Sequence, residues 1–162
     1  SREYLPIDLG TKIGDVYSEF EKLIPKLFLE SLNKLNVNPN YFLEKQNNSK
    51  KGIRCYPRTP VDGRIQWSDD NKKIIRLINA SNYPYSGAYC YLVDKKIVIR
   101  DAEIYSDNEK YFAIPGQISS VERDGSIIVI SGNGKIKINS IEIDQKIIMP
   151  SSYVKSIRKR FI

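Results

Sequence analysis

The chain has 162 residues, a net charge of +7 and no histidine, with Cys55 and Cys90 as its only cysteines. Without imidazole, a Ser-His-Asp triad, a Cys-His pair and a histidine-ligated zinc site are all excluded from this chain. Apart from Asp69-Asp70, the acidic residues are scattered singly among Lys and Arg, and nothing in the spacing pairs two carboxylates for acid–base work.

An apolar content of 41% suits one domain, or a small domain with an attached arm. No apolar run approaches the length of a membrane-spanning helix, so no membrane association is expected. The two cysteines form neither a CxxC pair nor a disulfide framework, which makes a reducing cytoplasm the expected compartment. The chain begins at Ser1 and not at Met, as expected of a fragment or a trimmed product. Positive charge is local. Lys45, Lys50, Lys51, Arg54 and Arg58 form one acid-free cluster, and Lys155, Arg158, Lys159 and Arg160 form another. Each suits either a solvated face or an anionic partner.

In chain order, Glu3–Ile7 reads as a short strand or extended lead-in, demoted to an edge by Pro6. Thr11 is the expected N-cap of a helix with Asp15 in its first turn. Apolar residues from Ile13 through Phe20, Ile24, Phe28 and Leu32 to Leu35 recur at threes and fours, the period of an amphipathic helix. Pro25 should kink it, and Asn36–Asn40 should end it. The stripe is wide and needs a surface to pack on, which points to an absent domain or to a homodimer. The stretch 37–64 is polar and rich in Pro, Gly and Asn, the composition of a linker or a long functional loop.

A second helix is expected from Ser68, with Asp69 and Asp70 in its first turn and Ile74, Ile75 and Ile78 on its apolar face. The period then changes to two. Ala88–Val93 and Lys96–Ile104 read as strands joined at Asp94-Lys95, and Tyr111–Ile114 as a third. Gln117–Glu122 and Ser126–Ile130 flank the hairpin signal Arg123-Asp124-Gly125, and Gly132-Asn133-Gly134 leads into Lys135–Ile143. The expected fold class is α+β. An N-terminal amphipathic helix is followed by a linker, then one helix and a small antiparallel OB-like barrel.

The informative stretch is Tyr56-Pro57-Arg58-Thr59-Pro60-Val61-Asp62-Gly63-Arg64-Ile65-Gln66-Trp67, followed by Ile74–Ala80 and Tyr83-Pro84-Tyr85-Ser86-Gly87-Ala88-Tyr89. It resembles the junction and small domain of the formyltetrahydrofolate-dependent formyltransferase family. That family includes methionyl-tRNA formyltransferase and enzymes that N-formylate nucleotide-linked amino sugars. Its pattern there runs R-x-P-x-D-G-x-I-x-W, a helix, I-R-A, then P-x-P-G-A. The form Arg58-x-Pro60-x-Asp62-Gly63 looks more like the sugar branch. Pro115–Ile118, Asp124–Val129 and Gly132–Gly134 are similar to the family's barrel order, and the first helix looks like the last helix of its catalytic domain. Asn79 stands where the family often has Arg, and Ser86 where it often has Pro.

The resemblance implies residues 1–40 as the end of an upstream catalytic domain, 41–63 as a linker and 64–162 as the OB-like C-terminal domain. It places the family's catalytic Asn, His and Asp upstream, so no catalytic or cofactor-binding residue is expected in this chain. The intact protein would use 10-formyltetrahydrofolate and a nucleotide-sugar acceptor. Arg58, Asp62 and Tyr85 are the candidate substrate contacts. Each has a plain alternative: a carboxylate partner for Arg58, a turn for Asp62, and barrel packing for the series Tyr83, Tyr85, Tyr89 and Tyr91. Trp67 is read as a core anchor. A tRNA-binding module of the methionyl-tRNA branch and a dimerisation module are the competing functions.

Overall fold

The computed structural model describes residues 1–38, 40, 55–109 and 112–162. The chain divides into two compact units, residues 1–6 with 15–58, and residues 7–14 with 59–162. The basic cluster Lys45, Lys50, Lys51 and Arg54, and most of the expected linker, lie outside the described residues.

The first unit is dominated by helix α1, Ile13–Val37. Its end agrees with the Asn-rich stop, and it continues through Pro25. Thr11 does not cap it. Instead the Thr11 hydroxyl donates to Asp8 Oδ1 at 2.8 Å and accepts from the Asp8 amide at 3.1 Å, closing a turn ahead of the helix. Residues 1–7 form no strand, because Pro6 lacks an amide donor and no ladder forms there. The terminal amine of Ser1 donates to Ser31 Oγ at 3.4 Å, so the chain start lies beside α1. No residue of α1 is buried.

The second unit holds the core. Helix α2, Asn71–Ala80, starts later than Ser68 because Asp70 takes the cap: its carboxylate accepts the Lys73 amide at 2.8 Å. The strands are β1 (Ala88–Leu92), β2 (Lys95–Asp107), β3 (Ile118–Val121), β4 (Ile127–Ile130), β5 (Gly134–Ile143) and β6 (Lys146–Ile148), followed by the short helix α3 (Pro150–Tyr153). All pairings are antiparallel, in the order β1-β2-β5-β4-β3, with β6 also on β5. The α+β class is met. Phe112–Ile114 form no strand, and Tyr111 lies outside the described residues. β6 and α3 were not expected.

The six-stranded sheet does not close strand to strand, so the OB-like barrel expectation is not met by the ladder itself. β1 and β3 sit at opposite ends of it. The last residues lie against both ends. Ile162 exchanges backbone hydrogen bonds with Tyr91 at 2.7 and 2.9 Å, and the Phe161 amide donates to Gly116 O at 2.8 Å. The Phe161 ring is buried and stacks on Trp67 with centroids 5.6 Å apart. Trp67 is thus a core anchor, buried in one cluster with Ile65, Ile74, Ile78, Ile97, Ile99, Ile136, Ile138 and Ile141. The alternating Ile positions of β2 and β5 supply one face of the sheet and α2 covers it. Buried Asn71 ties the helix start to the β4–β5 turn and to β2: its backbone amide donates to Asn133 Oδ1 at 2.8 Å, and its Nδ2 to Ser106 O at 2.6 Å.

Candidate functional site

Two loops of the second unit carry two of the candidate contacts. The first is the 3₁₀ turn Pro60–Gly63. Asp62 folds back on it: its Oδ2 accepts from the Thr59 amide at 2.6 Å and from the Thr59 hydroxyl at 3.0 Å. The second is the loop Asn82–Gly87, between α2 and β1. The two meet at their glycines, where a Cβ on Gly63 would stand 2.9 Å from Gly87 O. Only a residue without a side chain permits this approach. Beyond the contact, the Ile65 amide donates to Tyr89 O at 2.8 Å, which lays the chain after the turn along β1. The structure therefore brings Asp62 and Tyr85 into neighbouring loops. Arg58 is exposed and belongs to the other unit.

Beneath the second loop lies a cluster that the sequence reading missed. Arg100 falls at a break in the β2–β5 register, between the pairs Ile99↔Ile141 and Asp101↔Ser140. A bulge of this kind re-aims the side chain it carries. The Arg100 Nε donates to Glu142 Oε2 at 2.8 Å, and both side chains are largely buried. Its Nη1 donates to Tyr85 O at 3.3 Å and its Nη2 to Ser86 O at 3.5 Å. The guanidinium lies 3.8 Å from the centroid of the Tyr83 ring, and the Tyr83 hydroxyl donates to the same Glu142 oxygen at 2.7 Å. Asn82 completes the cluster, its Nδ2 donating to Arg100 O at 2.7 Å.

The electrostatics agree with the geometry. The Arg100 hydrogen bond holds the Glu142 carboxyl below its ordinary range; burial opposes this, and the Tyr83 hydroxyl adds to it. The Tyr83 phenol is pushed up, first by that same hydrogen bond to Glu142 and then by burial. Gly87 closes the loop at φ +89°, and a Cβ there would stand 2.3 Å from Val98 Cγ1 and 2.9 Å from Arg100 Nη1. The sequence carried no signal for it: Arg100 follows Ile97 and Ile99 on the opposite phase, where a period of two places a polar residue.

A second feature is a cavity of about 310 Å³ lined by Leu9, Lys12, Ile75, Asn79, Asp101 and Asn139 among others. Asp101 accepts from Lys12 Nζ at 2.5 Å and from Asn139 Nδ2 at 2.9 Å. Burial raises its carboxyl, but these two donors bring it below the usual range. Asn79 is buried and donates through Nδ2 to Leu9 O at 2.7 Å, while its Oδ1 has no hydrogen-bond partner among the described residues. Among the described residues, no group of three or more His, Cys, Asp or Glu is placed to hold a metal ion. No helix among them is long and apolar enough to cross a membrane.

A family model, the C-terminal domain of formyl transferases, matches residues 58–158. The chain belongs to this family. The match starts at Arg58 and contains the turn, the loop and the Arg100–Glu142 pair. Over 63 residues the chain is 40% identical to the bifunctional polymyxin resistance protein ArnA of Wigglesworthia glossinidia brevipalpis, a stretch that is 39% of this chain and 9% of that protein. Among solved structures, HypX from Aquifex aeolicus in complex with tetrahydrofolic acid is 17% identical with a TM-score of 0.64, covering 94% of this chain and 26% of that one. A multiply substituted variant of HypX gives a TM-score of 0.63 at 19% identity, covering 91% of this chain and 25% of that one. At these identities the structural likeness speaks to the fold. The chain thus spans about a quarter of the solved relatives and a smaller part of the curated one.

Proposed function

We propose that this chain is the carboxy-terminal region of a folate-dependent formyltransferase that N-formylates a nucleotide-linked amino sugar. The observation that carries the reading is the family match over residues 58–158, together with the likeness to ArnA. In the intact protein the acceptor's amine attacks the formyl carbon of 10-formyltetrahydrofolate. A new C–N bond forms, the bond from the formyl carbon to the folate nitrogen breaks, and the amine's proton passes to the departing nitrogen. The groups that assist proton transfer belong to the upstream catalytic domain, because this chain has no histidine to offer. This region closes one side of the site with the Pro60–Gly63 turn and the Asn82–Gly87 loop, Tyr85 and Asp62 facing the acceptor and Arg58 its phosphates. α1 rests its apolar stripe on the upstream domain, in the cytoplasm of the cell. An OB-like barrel completed by residues 159–162 between β1 and β3 supports the loops.

The test is formyl transfer by the intact protein from 10-formyltetrahydrofolate to nucleotide-linked amino sugars, followed by mass spectrometry of the sugar. A product heavier by one formyl group in place of a hydrogen is expected. Activity on methionyl-tRNA with none on any sugar would transfer the chain to the other branch of the family.

A further inference from the structure

We propose that Arg100 is a positioning residue for acceptor recognition. Seated at the β2 bulge and held by Glu142, it fixes the Asn82–Gly87 loop so that the rings of Tyr83 and Tyr85 meet the acceptor in one preset geometry. The proposal rests on the reading of the parent protein as a sugar N-formyltransferase and adds to it the residue that orders the contact surface.

Three observations carry it. First, a single guanidinium spends its nitrogens on separate parts of the loop's support: Nε on Glu142, Nη1 on Tyr85 O and Nη2 on Ser86 O. A planar fork with fixed geometry can do this and a lysine ammonium cannot. Second, the same group covers one face of the Tyr83 ring, while Glu142 holds the Tyr83 hydroxyl. Yet Tyr83 and Tyr85 remain 51% and 49% exposed. The Tyr83 ring is held from below by Arg100 and Glu142, and both rings keep about half of their surface exposed, which is the arrangement of a recognition surface and not of a packed core. Third, Gly63 against Gly87 O couples this loop to the turn that carries Asp62, so Arg100 sets the spacing of both candidate contacts. Ordering such a loop before binding removes an entropic cost from the binding step.

The experiment uses the intact protein with Arg100→Lys and Glu142→Gln. For Arg100→Lys the acceptor KM should rise about tenfold, as expected when positioning is loosened away from the reacting atoms. Its kcat and the KM for 10-formyltetrahydrofolate should stay within about twofold. Glu142→Gln keeps an acceptor oxygen for Arg100 and Tyr83, so it should give a smaller rise. In parallel, native chymotryptic cleavage after Tyr85 should be faster in Arg100→Lys than in the unsubstituted protein. An acceptor KM that does not move, or a kcat that falls in step with both KM changes, overturns the positioning role. An Arg100→Lys loop that is cleaved no faster overturns the clamp itself. Absence of sugar formylation by the unsubstituted protein overturns the function reading, and with it the acceptor role.

Discussion

Helix α1 and the β-rich unit use their apolar residues in opposite ways. α1 carries Phe20, Ile24, Phe28, Leu29 and Leu32, every one of them exposed. In the β-rich unit, Ile97, Ile99, Ile127, Ile136, Ile138 and Ile141 are fully buried, in one core with Trp67 and Phe161. A period of 3.6 establishes that a helix has an apolar face; it does not supply the surface that covers it. The period of two in β2 and β5 is answered within the same unit, by α2 and by neighbouring strands. The contrast separates what this chain stabilises by itself from what it presents to something else.

The sharpest way to break that contrast is to truncate one aromatic in each region. Phe161→Ala removes a buried ring stacked on Trp67 and opens the place where residues 159–162 lie against both ends of the sheet. It should cost about 3–5 kcal/mol in a urea unfolding titration. Phe28→Ala, at 62% exposure, should change the same measurement by about 0.5 kcal/mol or less. Equal effects would mean that α1 is part of the same cooperative core. Gly87→Ala comes next. It forces a side chain at φ +89° into Val98 Cγ1, and a loss of about 1–3 kcal/mol is expected from strain at such a backbone position. Asp70→Ala removes the α2 cap and should cost about 1 kcal/mol by the same method.

These sites also show why parts of the molecule were legible beforehand and parts were not. Ile74, Ile75 and Ile78 identified the inner face of α2, and strict alternation identified β1, β2 and β5. Asp69 and Asp70 gave the right neighbourhood for the α2 start, but several capping residues compete there and only the fold shows that Asp70 takes the Lys73 amide. β6 has three residues and α3 four, too short to display a period. At the candidate site, the turn and the loop were visible as Asp62-Gly63 and as a tyrosine-rich run. Their support was not, because Arg100 and Glu142 meet across a strand pair 42 positions apart in sequence. Spacing rules read neighbours along one element, and a bulge that re-aims Arg100 leaves no periodic trace.

The smallest expected effect is local and depends on pH. Glu142 has its carboxyl lowered by the Arg100 hydrogen bond, so its contribution to the loop is present above the ordinary glutamate value of 4.5 and is lost as pH falls through the lower folded value. Tyr83 has its phenol raised by the hydrogen bond to Glu142, so its contribution is present below the ordinary value of 10.0 and is lost as pH rises through the higher folded value. The ring signals of Tyr83 in a ¹³C NMR titration should therefore be flat across the neutral range, with an acid limb below 4.5 and an alkaline limb above 10.0. Glu142→Gln should abolish the acid limb and move the alkaline limb toward the ordinary tyrosine value, since the carboxylate that raises the phenol is gone. An acid limb that survives in Glu142→Gln would mean that some other carboxyl group orders the loop, and the cluster beneath Tyr83 would lose its place as the support of the site.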